Sequence, residues 1–204
     1  MNTLFTIGHS NHLAGQLISL LRSYNVKAVV DVRSHPHSQR LPQFNRDSLE
    51  ANLKRANLYY VFLGCELGAR REERECYVDN RADYGLIAKT AAFQEGLKRV
   101  RQGLVKMSVA LLCAEHDPLT CHRMILVCRH LRADCPDIQH ILRDGNVESN
   151  QRTELRLVRQ FGNGNTLVTS SIIEKAYDLQ GKYIAYSDEC TETEAHDNQL
   201  HFLQ

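Results

Sequence analysis

The sequence predicts an α/β fold: a Rossmann-like, mainly parallel sheet with helices on both faces, followed by a small C-terminal appendage. Three observations predict it. Short apolar runs at residues 2–7, 27–32, 58–63, 106–113 and 137–142 stop at a glycine or a charged residue, as strands buried on both faces do. Stretches with apolar residues at helical spacing separate them. The alternation persists over roughly 140 residues, which is the pattern of a sheet built from β-α-β units.

Taken in order, residues 2–7 form a strand that ends in Gly8-His9-Ser10, and Leu13, Leu17, Leu20 and Leu21 then mark an amphipathic helix. Residues 27–32 form a second strand carrying Asp31 and Arg33 at its end. Residues 34–45 contain two of the four prolines and no periodicity, so they predict a long functional loop. A helix over 47–57 leads to the strand at 58–63, stopped by Gly64, and a polar Arg- and Glu-rich loop follows at 68–79. One helix is expected over 84–100 with a break at Gly103, then the strongest strand at 106–113. A helix starting between Pro118 and Cys121 runs to about Ala133, and residues 137–142 make the fifth strand. Beyond Val147 the pattern weakens to helices near 153–161 and 170–179, a Gly162-Asn163-Gly164-Asn165 hinge and a strand-like 182–186. This organisation divides the chain into an α/β domain at 1–146, an appendage at 147–187 and an acidic tail at 188–204.

Composition excludes several classes of protein. With 204 residues and 43% hydrophobic side chains the chain can bury a core, so disorder is not the default. A net charge of +1 gives no field for indiscriminate polyanion binding, so attraction to nucleic acid has to be local. No apolar run is long enough for a membrane span and no basic, apolar leader is evident, which predicts no membrane partner and a cytoplasmic location. Seven cysteines without a Cys-x-x-Cys pair predict reduced thiols. Cys113, Cys121, Cys128 and Cys135 are spaced for core packing, the last three along one side of a helix.

Ligands of open α/β sheets bind beyond the carboxyl ends of the strands. That rule selects His9 and Ser10 after the first strand, Asp31, Arg33, His35, His37 and Arg40 after the second, Glu66, Arg70 and Arg71 after the third, and Cys113 and Glu115 after the fourth. The richest stretch is Cys113-Ala114-Glu115-His116-Asp117-Pro118-Leu119-Thr120-Cys121-His122-Arg123, which leaves a buried strand and enters a helix. A helix N-terminus there favours an anion and an ionised thiol. Structural alternatives stand beside each of these residues: Asp31 and Arg33 as an internal ion pair, Cys113 as a small core residue, and Cys121, His122 and Arg123 as packing or capping groups. Glu115 is harder to explain structurally, because a carboxylate just past a buried strand is costly unless paired or used. Cys113, His116, Cys121 and His122 are ligand types, but their spacing is unfamiliar and neighbouring Cys121 and His122 diverge on a helix, so no metal is expected.

These residues resemble the DUF488 family, named for its lack of an established function. The resemblance rests on Thr6-Ile7-Gly8-His9-Ser10, on Val30-Asp31-Val32-Arg33-Ser34 with Pro36, Arg40, Pro42 and Phe44, on residues 64–71, and above all on Cys113-Ala114-Glu115 followed by Cys121-His122-Arg123. It spans residues 3–145 and implies the same α/β fold, without a reaction; Ala69 stands where a second glycine is expected. Val30-Asp31-Val32-Arg33 also resembles rhodanese-type sulfurtransferases, whose cysteine loop has no match here.

Three functional expectations follow. The first is an enzyme on a nucleotide or nucleic-acid substrate, a hydrolase or transferase that cleaves or transfers at an N-glycosidic bond. Glu115 acts as acid or base, His9 and His122 move protons, and Arg33, Arg40, Arg70 and Arg123 hold phosphates. Ser10, Asp31, Arg71 and Cys113 complete the expected substrate site, and no cofactor is identified. The second is sulfur transfer or redox chemistry with Cys121 as nucleophile and Cys113 as resolving thiol. The third is a non-catalytic module that binds a phosphate-bearing small molecule or nucleic acid through the same arginines.

Overall fold

The computed structural model describes residues 2–162 and 168–188. The chain opens with β1 (Leu4–Gly8) and α1 (Ala14–Ser23), which buries Leu17 and Leu21. Next come β2 (Ala28–Asp31), a 3-10 turn at Pro42–Phe44, α2 (Arg46–Arg55) and β3 (Tyr59–Phe62). The single turn α3 (Gly64–Leu67) precedes a hairpin of β4 (Tyr77–Val78) and β5 (Arg81–Ala82). Its two corner residues, Asp79 and Asn80, have φ of 49° and 58°, the left-handed pair that a tight hairpin turn requires.

Where one helix was expected over 84–100, the structure has two, α4 (Tyr84–Lys89) and α5 (Ala91–Lys106). Thr90 causes the break: it is extended, and its hydroxyl accepts the Phe93 amide of α5. Gly103 does not end the helix. It lies inside α5, where a Cβ would only touch Val109, so the next strand, β6 (Val109–Cys113), starts later than expected. After β6 a 3-10 turn at Pro118–Thr120 leads into a π-helix, Arg123–Cys128, continued by α6 (Arg129–Leu131). The chain then adds β7 (Ile138–Ile141), β8 (Val147–Ser149), α7 (Asn150–Phe161) and α8 (Ser170–Ile184).

Six strands pair in the order β3-β2-β6-β1-β7-β8, parallel throughout except for β8, which returns antiparallel to β7. The strand ends are level, with Gly8 opposite Cys113 and Asp31 opposite Leu112. Parallel pairing continues past them, through His9 N–H to the Cys113 carbonyl and Val32 N–H to the Leu112 carbonyl. A Cβ at Gly8 would lie 1.7 Å from the Glu115 carbonyl oxygen, so only glycine lets the segment after β6 cross the end of β1.

Each face of the sheet carries its own core. One packs Phe5, Ile7, Val29, Ala110 and Leu112 against α1 and α2 through Leu17, Leu21, Leu49 and Leu53. On the opposite face Leu4, Val30, Val109 and Leu111 meet α5, the π-helix, α7 and α8. The helix after β2 therefore covers one face and the helix after β6 the other. Since β2 and β6 are neighbours, the crevice between their carboxyl ends is the switch point of a doubly wound sheet.

Residues 147–187 contribute β8 to the sheet and Leu157, Val158, Ala176 and Tyr177 to the second core. The strand-like 182–186 is instead the last turn of α8 and an extended exit. The Asn163-Gly164-Asn165 part of the expected hinge and the tail from 189 lie outside the described residues.

Candidate functional site

Beyond the ends of β2 and β6 lies a cavity of about 450 Å³. Its walls include Arg33 and His35 after β2, Arg70 after α3, Tyr84 at the start of α4, and Tyr186 from the chain that follows α8. Its floor holds Cys113, Cys121 and His122, whose Sγ, Sγ and ring nitrogen lie within 4.8 Å of one another.

The local chain explains this meeting. Cys113 closes β6, and eight residues later the chain comes back over the same strand end because Asp117 caps the 3-10 turn, its carboxylate accepting the Leu119 amide at 3.0 Å. Cys121 is extended (φ −133°, ψ 136°) and His122 is helical (φ −60°, ψ −24°). The expectation that the two side chains diverge on a helix is therefore corrected: Cys121 precedes the helix in an extended conformation, only His122 begins it, and both reach Cys113. The first helical residues form a π-turn, a device common at functional sites.

His122 Nε2–H donates to the Val32 carbonyl at 2.9 Å, which leaves Nδ1 free to face Cys113 Sγ at 3.6 Å. Burial opposes ionisation of Cys121, but a hydrogen bond from the Cys113 thiol and the Arg123 and His122 charges together hold it well below the usual thiol range. The same hydrogen bond to Cys121 and burial push Cys113 up, so the pair keeps one proton. For His122, burial disfavours the cation, yet its bond to Cys121 outweighs that and raises its pKa.

Arg123 is wholly buried and does not reach the cavity. Its Nε donates to Thr6 Oγ1 at 3.2 Å, and Nη1 and Nη2 donate to the Glu115 and His116 carbonyls at 2.5 and 3.1 Å. These bonds fix the strand-end loop. Among the described residues no carboxylate forms an ion pair with it, so a cradle thiolate is the anion available to balance a buried guanidinium.

The other sequence-selected residues divide cleanly. Arg33 lines the cavity, but Asp31 accepts its Nη2 at 2.6 Å and Nε at 2.9 Å, while the Phe44 carbonyl accepts Nη2 at 2.9 Å. Tyr60 adds a hydroxyl donor to Asp31 at 2.8 Å. Asp31 is fully buried and outside the cavity, so this pair anchors the long loop. His9 stacks on Phe44 at 4.4 Å, donates Nδ1–H to the Ser10 carbonyl, and does not line the cavity; burial lowers its pKa to about 4. Ser10 and exposed Arg40 are also absent from its lining. Arg71 is spent on the Cys65 and Glu66 carbonyls and on Glu73 at 2.6 Å.

Glu115 does line the cavity, but its side chain is exposed. The argument that its carboxylate is costly to bury is corrected, because the crossing over Gly8 turns it outward to water. Arg70 lines the cavity with its guanidinium 4.4 Å from the Tyr186 ring. Ile184 and Tyr186 are functional-wall residues that the sequence reading missed. They carry no motif, and long-range bonds such as those from the Ala82 amide to the Tyr186 carbonyl at 2.9 Å and from the Asp188 amide to the Asn80 carbonyl at 2.8 Å bring that segment over the cavity.

No helix among the described residues is long and apolar enough to cross a membrane. No curated protein and no solved structure shows a match to the chain. The family described as Domain of unknown function DUF488 matches residues 14–129, a span that includes Arg33, the cysteine pair, Glu115, His122 and Arg123 but leaves out β1 and Tyr186. That span is more than half of the chain, and the protein belongs to the DUF488 family.

Proposed function

We propose that the protein is a cysteine-dependent enzyme of thiol redox or sulfur-transfer chemistry, acting on a small anionic sulfur compound held in the switch-point cavity. The observation that carries this reading is the meeting of Cys113, Cys121 and His122, donor atoms within 4.8 Å, on the floor of that cavity. Arg70, His35 and His37 on its walls favour a carboxylate- or phosphate-bearing substrate.

In its simplest form the Cys121 thiolate attacks one sulfur of a substrate disulfide. The substrate S–S bond breaks, a mixed disulfide forms on Cys121, and the first substrate thiolate leaves as a thiol with the Nδ1 proton of the His122 cation, which frees Nδ1. Cys113 then gives its thiol proton to His122 Nδ1, 3.6 Å away, and attacks the Cys121 sulfur. This closes a Cys113–Cys121 disulfide and expels the second thiolate. Two electrons pass to the substrate, and an external dithiol reductant restores the pair. A reducing compartment such as the cytoplasm suits that cycle.

Incubating the reduced protein with a small anionic disulfide and mapping its cysteines by mass spectrometry tests the reading. A Cys113–Cys121 disulfide is expected from the native chain, none from Cys121→Ser, and a trapped mixed disulfide on Cys121 from Cys113→Ser. Full substrate reduction by Cys121→Ser would overturn it.

Cleavage of an N-glycosidic bond in a nucleotide or nucleic acid is the second reading, supported by Glu115, which lines the same cavity and forms no ion pair among the described residues. Release of free base that survives Cys121→Ser but is lost in Glu115→Gln would favour it over thiol chemistry.

A further inference from the structure

We propose that Cys113, Cys121 and His122 form a binding site for a thiophilic cation, tested as zinc(II), with three protein ligands and a fourth position open to the cavity. Tetrahedral bonds of about 2.3 Å to sulfur and about 2.0 Å to nitrogen separate the two ligand atoms by about 3.6 Å. Cys113 Sγ and His122 Nδ1 already stand 3.6 Å apart, and all three donors fit within 4.8 Å. The ring is also prepared for ligation. Its Nε2–H is held by the Val32 carbonyl at 2.9 Å, the outer bond that metal-binding histidines ordinarily make, and it directs the Nδ1 lone pair into the cradle.

Donor chemistry selects the ion. Two sulfurs and an imidazole suit zinc or copper(I) and not magnesium or calcium, which need oxygen ligands. Charge selects the fourth ligand. Two thiolates cancel the charge of zinc(II), and the buried Arg123, with no carboxylate partner among the described residues, leaves one positive charge beneath the site. An anion arriving from the cavity balances it, past Arg70 and His35. The binding rests on this geometry alone. A second consequence rests on the thiol reading above: zinc and the disulfide substrate compete for one pair of sulfurs, so the zinc-bound form is silent.

The test adds zinc chloride to the reduced full-length protein, with a chromogenic chelator reporting free metal, and follows alkylation of each cysteine by mass spectrometry. One equivalent is expected to bind, with Cys113 and Cys121 protected from alkylation and exposed Cys65 unprotected. Affinity falls more than about 100-fold in Cys113→Ser and Cys121→Ser, and His122→Gln loses at least about tenfold; Cys65→Ser is unchanged. The protection measurement needs only the native chain, so it decides the matter even where a variant folds poorly. Equal alkylation with and without zinc, or zinc retained by Cys121→Ser and lost by Cys65→Ser, overturns the proposal. Disulfide turnover by a protein that binds no zinc overturns this inference and leaves the catalytic reading intact; zinc binding without turnover does the reverse.

Discussion

Replacing Gly8 with alanine sets a methyl group against the Glu115 carbonyl, backbone that is itself held by Arg123. Neither side can yield cheaply, and a loss of more than about 3 kcal/mol is expected in urea denaturation. Asp31→Asn leaves the Arg33 guanidinium buried without its counter-charge, at a cost of about 3–5 kcal/mol by the same measurement. Tyr60→Phe removes one donor to the same carboxylate and is expected to cost less, about 2 kcal/mol. His140 adds a pH dependence. Burial and then the Arg123 charge lower its pKa from the ordinary 6.5 to about 3, while its Nε2–H is donated to Asn150 and Thr6 donates to its Nδ1. The folded state keeps it neutral, so the unfolded chain takes the proton first. Its contribution is full above pH 6.5 and declines as the pH falls toward 3. From pH 7 to 5 the native chain should lose about 2 kcal/mol more than His140→Gln, and parallel curves would refute the assignment.

Elements record which local signals survive tertiary packing. Helical spacing located α1 and α2 because their apolar stripes face one core and their other faces face water. The break between α4 and α5 is encoded by Thr90, a good N-cap, and helical spacing alone does not reveal it because the apolar period runs through it. Thr90→Ala should lower the midpoint of thermal unfolding by removing about 1 kcal/mol, whereas Gly103→Ala should be tolerated, since its new methyl meets Val109 at ordinary contact distance. Gly103 reads as a breaker only when its neighbour across the helix–sheet interface is unknown. The π-turn at Arg123–Cys128 has no periodic signature, and it follows from a chain that must leave Cys121 extended while burying Arg123, Met124 and Ile125.

Taken together, the described segments share their cores. Tyr177 of α8 is fully buried and donates to Glu154 of α7, and Gln180 reaches the Leu119 carbonyl at 2.6 Å, just before the cradle. If residues 147–187 fold with the sheet, Tyr177→Ala should cost about 3–5 kcal/mol and shift one common transition, seen identically by far-UV circular dichroism and by exposure of Cys128 in the second core. A separate early transition confined to the C-terminal helices would show that they are an add-on. The same coupling runs to the site. Arg81 donates to the Lys182 carbonyl at 3.1 Å and bridges Ser187, holding Tyr186 over the cavity as part of its wall.

The five parallel strands and the α/β class were legible in the residues, because apolar runs and helical periods are local consequences of which surfaces must leave water, whereas the short β4, β5 and β8 carry no such run. The family resemblance pointed to the stretch from Cys113 to Arg123 for the same reason: it is contiguous. What each residue does there was not legible. Arg33, Arg71 and Arg123 look alike as charges, and only three-dimensional hydrogen bonding shows that all three are committed to carboxylates or carbonyls. His9 and Glu115 lie near the same edge in the chain, but stacking on Phe44 keeps one out of the cavity that the other lines. Cys113, Cys121 and His122 meet through a cap and one extended residue, a matter of backbone angles and long-range packing that no spacing rule encodes.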